Sequence, residues 1–148
     1  MAIYSIAQRA TNVTTAQLTF DVASPTASGV LALITEVGVF LGAATASTYG
    51  IARTTTLGTR TTPTALIAEA QNMPALTGIT LIDSAIAWSA QPTISGTDFR
   101  RIGLPATIGT GVIWTFPRGI QLQAQLAVGI VNRATNSALT DCYAVVDI

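Results

Sequence analysis

Glu36, Glu69, Asp83 and Asp98 are the residues from which this chain could build a reaction, since two carboxylates flanking a glycosidic bond suffice for general acid and base catalysis. None of the four lies in a cluster with aromatic residues that could stack on a sugar ring. Glu36 reads as an inward or interfacial charge meeting an arginine. Asp98, next to Phe99-Arg100-Arg101, reads as turn chemistry with a local ion pair. Other chemistries lack their starting material. The chain has no His, so it can form no Ser-His-Asp or Cys-His pair and no HExxH zinc site; it has no Lys, so it offers neither a P-loop lysine nor a Schiff-base nucleophile. Cys142 stands in an alternating run with no base beside it and reads as a buried, inert thiol. Gly109-Thr110-Gly111 is too short to cradle a phosphate and reads as a hairpin turn. The expectation is a protein with no catalytic residue, no cofactor and no metal.

The seven basic residues are all Arg and balance seven acids. With no net positive charge and no basic run, nucleic-acid binding has little electrostatic support. Arg100-Arg101 is the one basic dipeptide, and on a strand its members face opposite sides. A folded chain of 15.3 kDa exposes roughly 7,000 Å², so charge is sparse on its surface. Lys is depleted at protein interfaces while Arg is retained. Sparse charge without Lys therefore points to a surface buried against partners, with Arg100, Arg101 and Arg118 as candidate interface residues.

The elements that must position these groups follow a two-residue period, which sends alternate side chains to opposite faces of a strand. Val112, Trp114 and Phe116 alternate with Ile113 and Thr115, giving one aromatic face to bury. Pro117 and Gly119 then predict a turn into Ile120–Gln125. Leu18, Phe20 and Val22 share a face of Thr14–Ala23, so Phe20, Trp114 and Phe116 are the candidate core aromatics. Gly29–Leu41 reads as a strand broken at Gly38, and Thr48–Thr56, Thr80–Trp88 and Phe99–Leu104 read as strands. Leu57–Pro63 reads as a Gly/Thr/Pro loop, and residues 65–71 fit either a short strand or a helical turn. Val128–Val131 is apolar on both faces, as suits a central strand or one covered by a neighbouring subunit. Asn132–Leu139 is a polar loop, and Asp141–Ile148 carries Cys142, Ala144 and Val146 on one side. Eight or nine strands at this spacing predict an all-β, single-domain sandwich of jelly-roll type over residues 14–148, with residues 1–13 as an arm or first short strand. An immunoglobulin-like sandwich is the alternative.

Hydrophobic residues make up 49% of the chain, and Gly29–Ala46 is long enough to raise the question of a membrane span. Glu36 near its centre would cost about 2.5–3.5 kcal/mol, and no basic anchors flank it. Neither a membrane nor a secretory signal is expected; in that context the sequon Asn12-Val13-Thr14 reads as chance, and a single Cys suits a reducing compartment.

The Gly/Thr-rich run Thr54–Thr64, the segment Ala87-Trp88-Ser89, the run Arg100-Arg101-Ile102-Gly103-Leu104-Pro105, the stretch Val112-Ile113-Trp114-Thr115-Phe116-Pro117-Arg118-Gly119 and Tyr143-Ala144-Val145-Val146-Asp147 together resemble small jelly-roll virion proteins of tailed bacteriophages. The likeness runs from Gln17 to the last residue, and Trp-x-Phe-Pro-x-Gly is its distinctive part. It implies a capsid decoration, or cement, protein: a homotrimer on the outer head surface, with the major capsid protein as partner, made in the host cytoplasm and without catalytic residues. A tail-fibre or receptor-binding module for a host glycan, or another tail or baseplate component, is the alternative.

Overall fold

The computed structural model describes residues 3–11, 14–27, 31–65, 81–134 and 139–148. Twelve strands run through them in chain order: β1 (Ile3–Ala10), β2 (Leu18–Ser24), β3 (Leu33–Leu41), β4 (Ser47–Thr54), β5 (Thr59–Arg60), β6 (Thr64–Ala65), β7 (Asp83–Ala85), β8 (Trp88–Ala90), β9 (Ile94–Leu104), β10 (Gly111–Gln121), β11 (Leu126–Asn132) and β12 (Thr140–Asp147). The expectation of an all-β sandwich holds. One antiparallel sheet has the order β1-β12-β3-β10; the other has the order β6-β7-β2-β11-β4-β9; β5 and β8 form a separate two-stranded ribbon.

Set aside the four strands of three residues or fewer, and the remaining eight interleave from the outside in. The first strand lies beside the last, and the second beside the next to last. This order fits a jelly-roll winding; the immunoglobulin arrangement would put β1 beside β2 instead. Residues 3–10 are a full strand, paired along their length with β12 from Ile3↔Asp147 to Ala10↔Thr140.

The core lies between the two large sheets and is filled by the alternating positions. Tyr4, Ile6, Ile34, Val37, Val39, Leu41, Cys142, Ala144 and Val146 come from one sheet and Phe20, Val22, Tyr49, Ile51, Val128 and Ile130 from the other, all in one contiguous cluster. Of the two fully buried tyrosines, Tyr49 Oη finds Thr140 Oγ1 at 2.9 Å across the sandwich, whereas Tyr4 Oη has no hydrogen-bond partner among the described residues. The predicted set of core aromatics needs one correction. Phe20 is 1% and Phe116 9% exposed, but Trp114 is only half-buried and packs at the margin of the cluster, because β10 is an edge strand with a neighbour on one side.

Three further expectations change. Pro117 and Gly119 do not end a strand. β10 runs on to Gln121 through a bulge between Thr115 and Ile120, with Gly119 at φ 69°; the edge position lets Pro117 lack its donor without breaking a ladder. Gly38 does not break β3 either, for reasons set by Tyr143 and given below. Gly109-Thr110-Gly111 is not a hairpin turn, since the strands it joins, β9 and β10, belong to different sheets. The doubly apolar β11 is central between β2 and β4, and its outer face is covered by this chain: Val131 packs with Leu18 and Ala52 under Trp88 and Ile94. Of residues 65–71, Ala65 ends the short strand β6, and the rest lie outside the described residues.

Candidate functional site

The three described carboxylates with catalytic potential lie in different parts of the molecule, each tied to its own partner. Glu36 projects from β3 onto the outer face of its sheet, where it meets a phenol and not the expected arginine: Tyr143 Oη donates to Glu36 Oε1 at 2.6 Å. Burial and that carboxylate together push the Tyr143 phenol up to about 12, so it stays a donor. Its ring lies over Gly38, where a Cβ would fall inside the ring, and stacks on Phe40 at 6.5 Å. Glycine at mid-strand is thus a seat for an aromatic side chain from the neighbouring strand.

Asp98 belongs to β9 and not to a turn. It reaches over Gly50, where a Cβ would meet its carboxylate, to accept from Arg133 Nη2 at 2.6 Å, 35 residues away. Asp83 joins a buried cluster on the outer face of the other sheet. Arg60, from the β5–β8 ribbon, donates to Asp83 Oδ1 and, at 2.5 Å, to Asp21 Oδ1, which also accepts from the Ala85 amide at 2.9 Å. Burial pushes the Asp21 carboxyl up to about 6, against the opposing pull of Arg60. The run expected to be a loop therefore supplies a guanidinium that pins the ribbon to the sandwich. Cys142 is 2% exposed, and burial drives its thiol far above the usual range, so it has no nucleophilic form at neutral pH. Glu69 and residues 135–138 of the predicted polar loop lie outside the described residues.

The interface candidates converge on one side of the sandwich, where β9 and β10 are the edge strands of the two sheets. Arg100 lies opposite Ile51 and Arg101 opposite Gly50, on opposite faces of β9. Arg100 turns its guanidinium over the Phe116 ring, 5.6 Å from the centroid, a cation–π contact that bridges the two sheets at their open side. Beyond it lies an open cleft of about 370 Å³ lined by Arg100, Phe116, Pro117, Arg118 and Gly119. The bulge makes this cleft, because it lifts Pro117 and Arg118 out of the regular pleat. Arg100 and Arg118 are thus brought together and Arg101 is not. Arg53, which sequence reasoning did not single out, joins them, with its guanidinium 5.4 Å from the Phe99 centroid and Nη1 donating to the Gln121 carbonyl at 2.7 Å. Its alternation with Tyr49 and Ile51 was the available signal, marking an inward arginine near the end of a strand.

Among the described residues, Arg9, Arg60 and Arg133 form the ion pairs, and Arg53, Arg100, Arg101 and Arg118 form none. All four lie on β4, β9 or β10. A chain of zero net charge thereby presents a cationic edge. Three large apolar side chains accompany it: Phe99 is 37%, Ile108 66% and Ile113 52% exposed. No group of three or more potential metal ligands occurs among the described residues, and no helix there is long and apolar enough to cross a membrane. No protein family, characterised protein or solved structure matches the chain.

Proposed function

We propose that this protein is a non-enzymatic structural component of a phage virion, a capsid-decoration sandwich that adheres as an oligomer to the outer head surface and stabilises it. The observation that carries the reading is the β9–β10 edge. Among the described residues, two strands of eleven residues each end their sheets there without a further strand, and unpaired edges of that length with exposed Phe99 and Ile113 are aggregation sites unless something covers them. Pro117 and the bulge blunt one half of β10; Gly111–Thr115 is left unguarded. Four arginines without carboxylate partners among the described residues line this edge, and their remaining donors suit an interface. A shell-binding oligomer would use many such contacts at once, so that modest individual affinities combine.

The experiment is sedimentation of the purified protein, alone and with empty phage heads. A mass of three chains and co-sedimentation with heads is the expected outcome. A mass equal to one chain of 15.3 kDa at micromolar concentration, with no head binding, would sink the proposal, and binding to a glycan array in its place would favour a receptor-recognition module.

A further inference from the structure

We infer that the cleft between β9 and β10 is a docking site for an extended, acidic peptide segment of a partner protein, which adds to the open edge of β10 and places carboxylates on Arg100 and Arg118. This deepens the proposed function by giving the partner a chemistry, and it rests on the reading of that edge as an interface.

Three features of the site select this occupant. The first is charge. Arg100 and Arg118 line the cleft with Phe116, Pro117 and Gly119, and neither guanidinium is neutralised by a carboxylate among the described residues. Five of the described acids are engaged elsewhere: Asp98 with Arg133, Asp141 with Arg9, Asp21 and Asp83 with Arg60, and Glu36 with Tyr143. The cleft is complementary to an anion that no described residue brings there. Planar guanidinium forks match carboxylates in two-point geometry, and Arg100 is already held over Phe116, so little of its freedom remains to be lost on binding.

The second feature is backbone. β10 pairs with β3 on one side, from Gly111↔Phe40 to Thr115↔Glu36, and has no ladder with a described residue on the other. That open side presents main-chain donors and acceptors at strand spacing, the surface that strand addition uses. A nucleic acid or an anionic glycan has no such ladder to offer, and four cations on a chain of zero net charge make a weak field for either.

The third is side-chain alternation. Ile113, exposed on the outer face of β10, and Ile108, exposed in the connection between β9 and β10, would cover apolar residues on one side of an added strand. The fitting segment is therefore extended and alternating, with acidic residues on the side of the arginines and β-branched residues on the side of Ile113.

The test is an NMR titration of the full chain with a short capped peptide alternating Asp and Val, and with its Asn-for-Asp counterpart, up to millimolar concentration. Saturable shifts confined to Gly111–Gly119 and β9, with the Asn peptide about tenfold weaker, are expected. Arg118→Ala, whose side chain has no ion-pair partner to lose, and Arg100→Ala/Arg118→Ala should weaken the acidic peptide stepwise, while Arg9→Ala on the far side should not. Equal binding of both peptides, no saturable shift, shifts mapping elsewhere, or unchanged affinity in the double variant would each overturn the inference. Head co-sedimentation of the double variant separates this from the broader proposal: binding to heads that survives it discards the acidic docking site and keeps the decoration role, whereas loss of head binding in the wild type discards the role and leaves the peptide result standing.

Discussion

Asp21 is carried into the folded state at a cost that varies with pH. Its carboxyl is raised from 3.8 to about 6, first by burial, so between those values the native state holds a proton that the unfolded chain releases. Stability must then fall as pH rises from about 4 to 6 and level off above, a loss of about 1–3 kcal/mol. Urea unfolding across that range should record this slope in the wild type and its disappearance in Asp21→Asn. Asp141 does not mask it, because its pKa is lowered by Arg9 and its contribution, exposed and small, is lost only below 3.8. On the opposite face Tyr143→Phe should cost about 1 kcal/mol at pH 7, since Glu36 loses its donor. Gly38→Val should cost more, about 1–3 kcal/mol, by expelling the Tyr143 ring from its seat. Denaturant midpoints of the two variants give that order or refute it.

Among the elements, β10 concentrates the functional argument. Ile113→Lys places a charge on its exposed edge without touching the core, so the unfolding free energy should stay within about 0.5 kcal/mol of the wild type. Self-association and head binding should weaken, and sedimentation of the variant measures both. The same strand marks where sequence reasoning succeeds and where it stops. The alternation in β4 and β12, and in β2 at Phe20 and Val22, identified their inward faces because a two-sided sandwich forces apolar residues to every second position; Leu18, expected on the same face, lies instead in the outer cluster with Ala52 and Val131, where the pairing of β2 with β11 shifts register. Pro117 and Gly119 misled because a turn and an edge bulge need the same residue types: a missing donor and a positive φ. Which of the two forms is decided by whether β3 lies alongside to continue the pairing, and no local pattern contains that fact. The pairs Asp98–Arg133 and Asp21–Arg60 were hidden for the same reason, since their members meet only when separate strands are registered. The Arg100–Arg118 cleft was legible as a list of residues and illegible as a place.

For the whole molecule, the balance of seven cations and seven anions conceals a division. The described acids lie inside the fold or on its other faces, and the arginines without an ion pair among the described residues are left along one edge. A neutral protein can in this way keep long-range repulsion between copies low while still having one side that prefers anionic surfaces.

The pairing of β1 with β12 also dictates an order of events during synthesis. Tyr4 and Ile6 are delivered long before the strand that pairs with theirs, Thr140–Asp147. Until it emerges from the ribosome the first sheet lacks its second strand, and β1 has nothing to bond with. Almost every contact of this fold is long-range in sequence, so nucleation must wait and the nascent chain spends its synthesis with sticky strands uncovered. A chain stopped after Arg133 should show no cooperative unfolding transition and should be recovered bound to chaperones, whereas a chain that includes β12 should unfold in a single cooperative step.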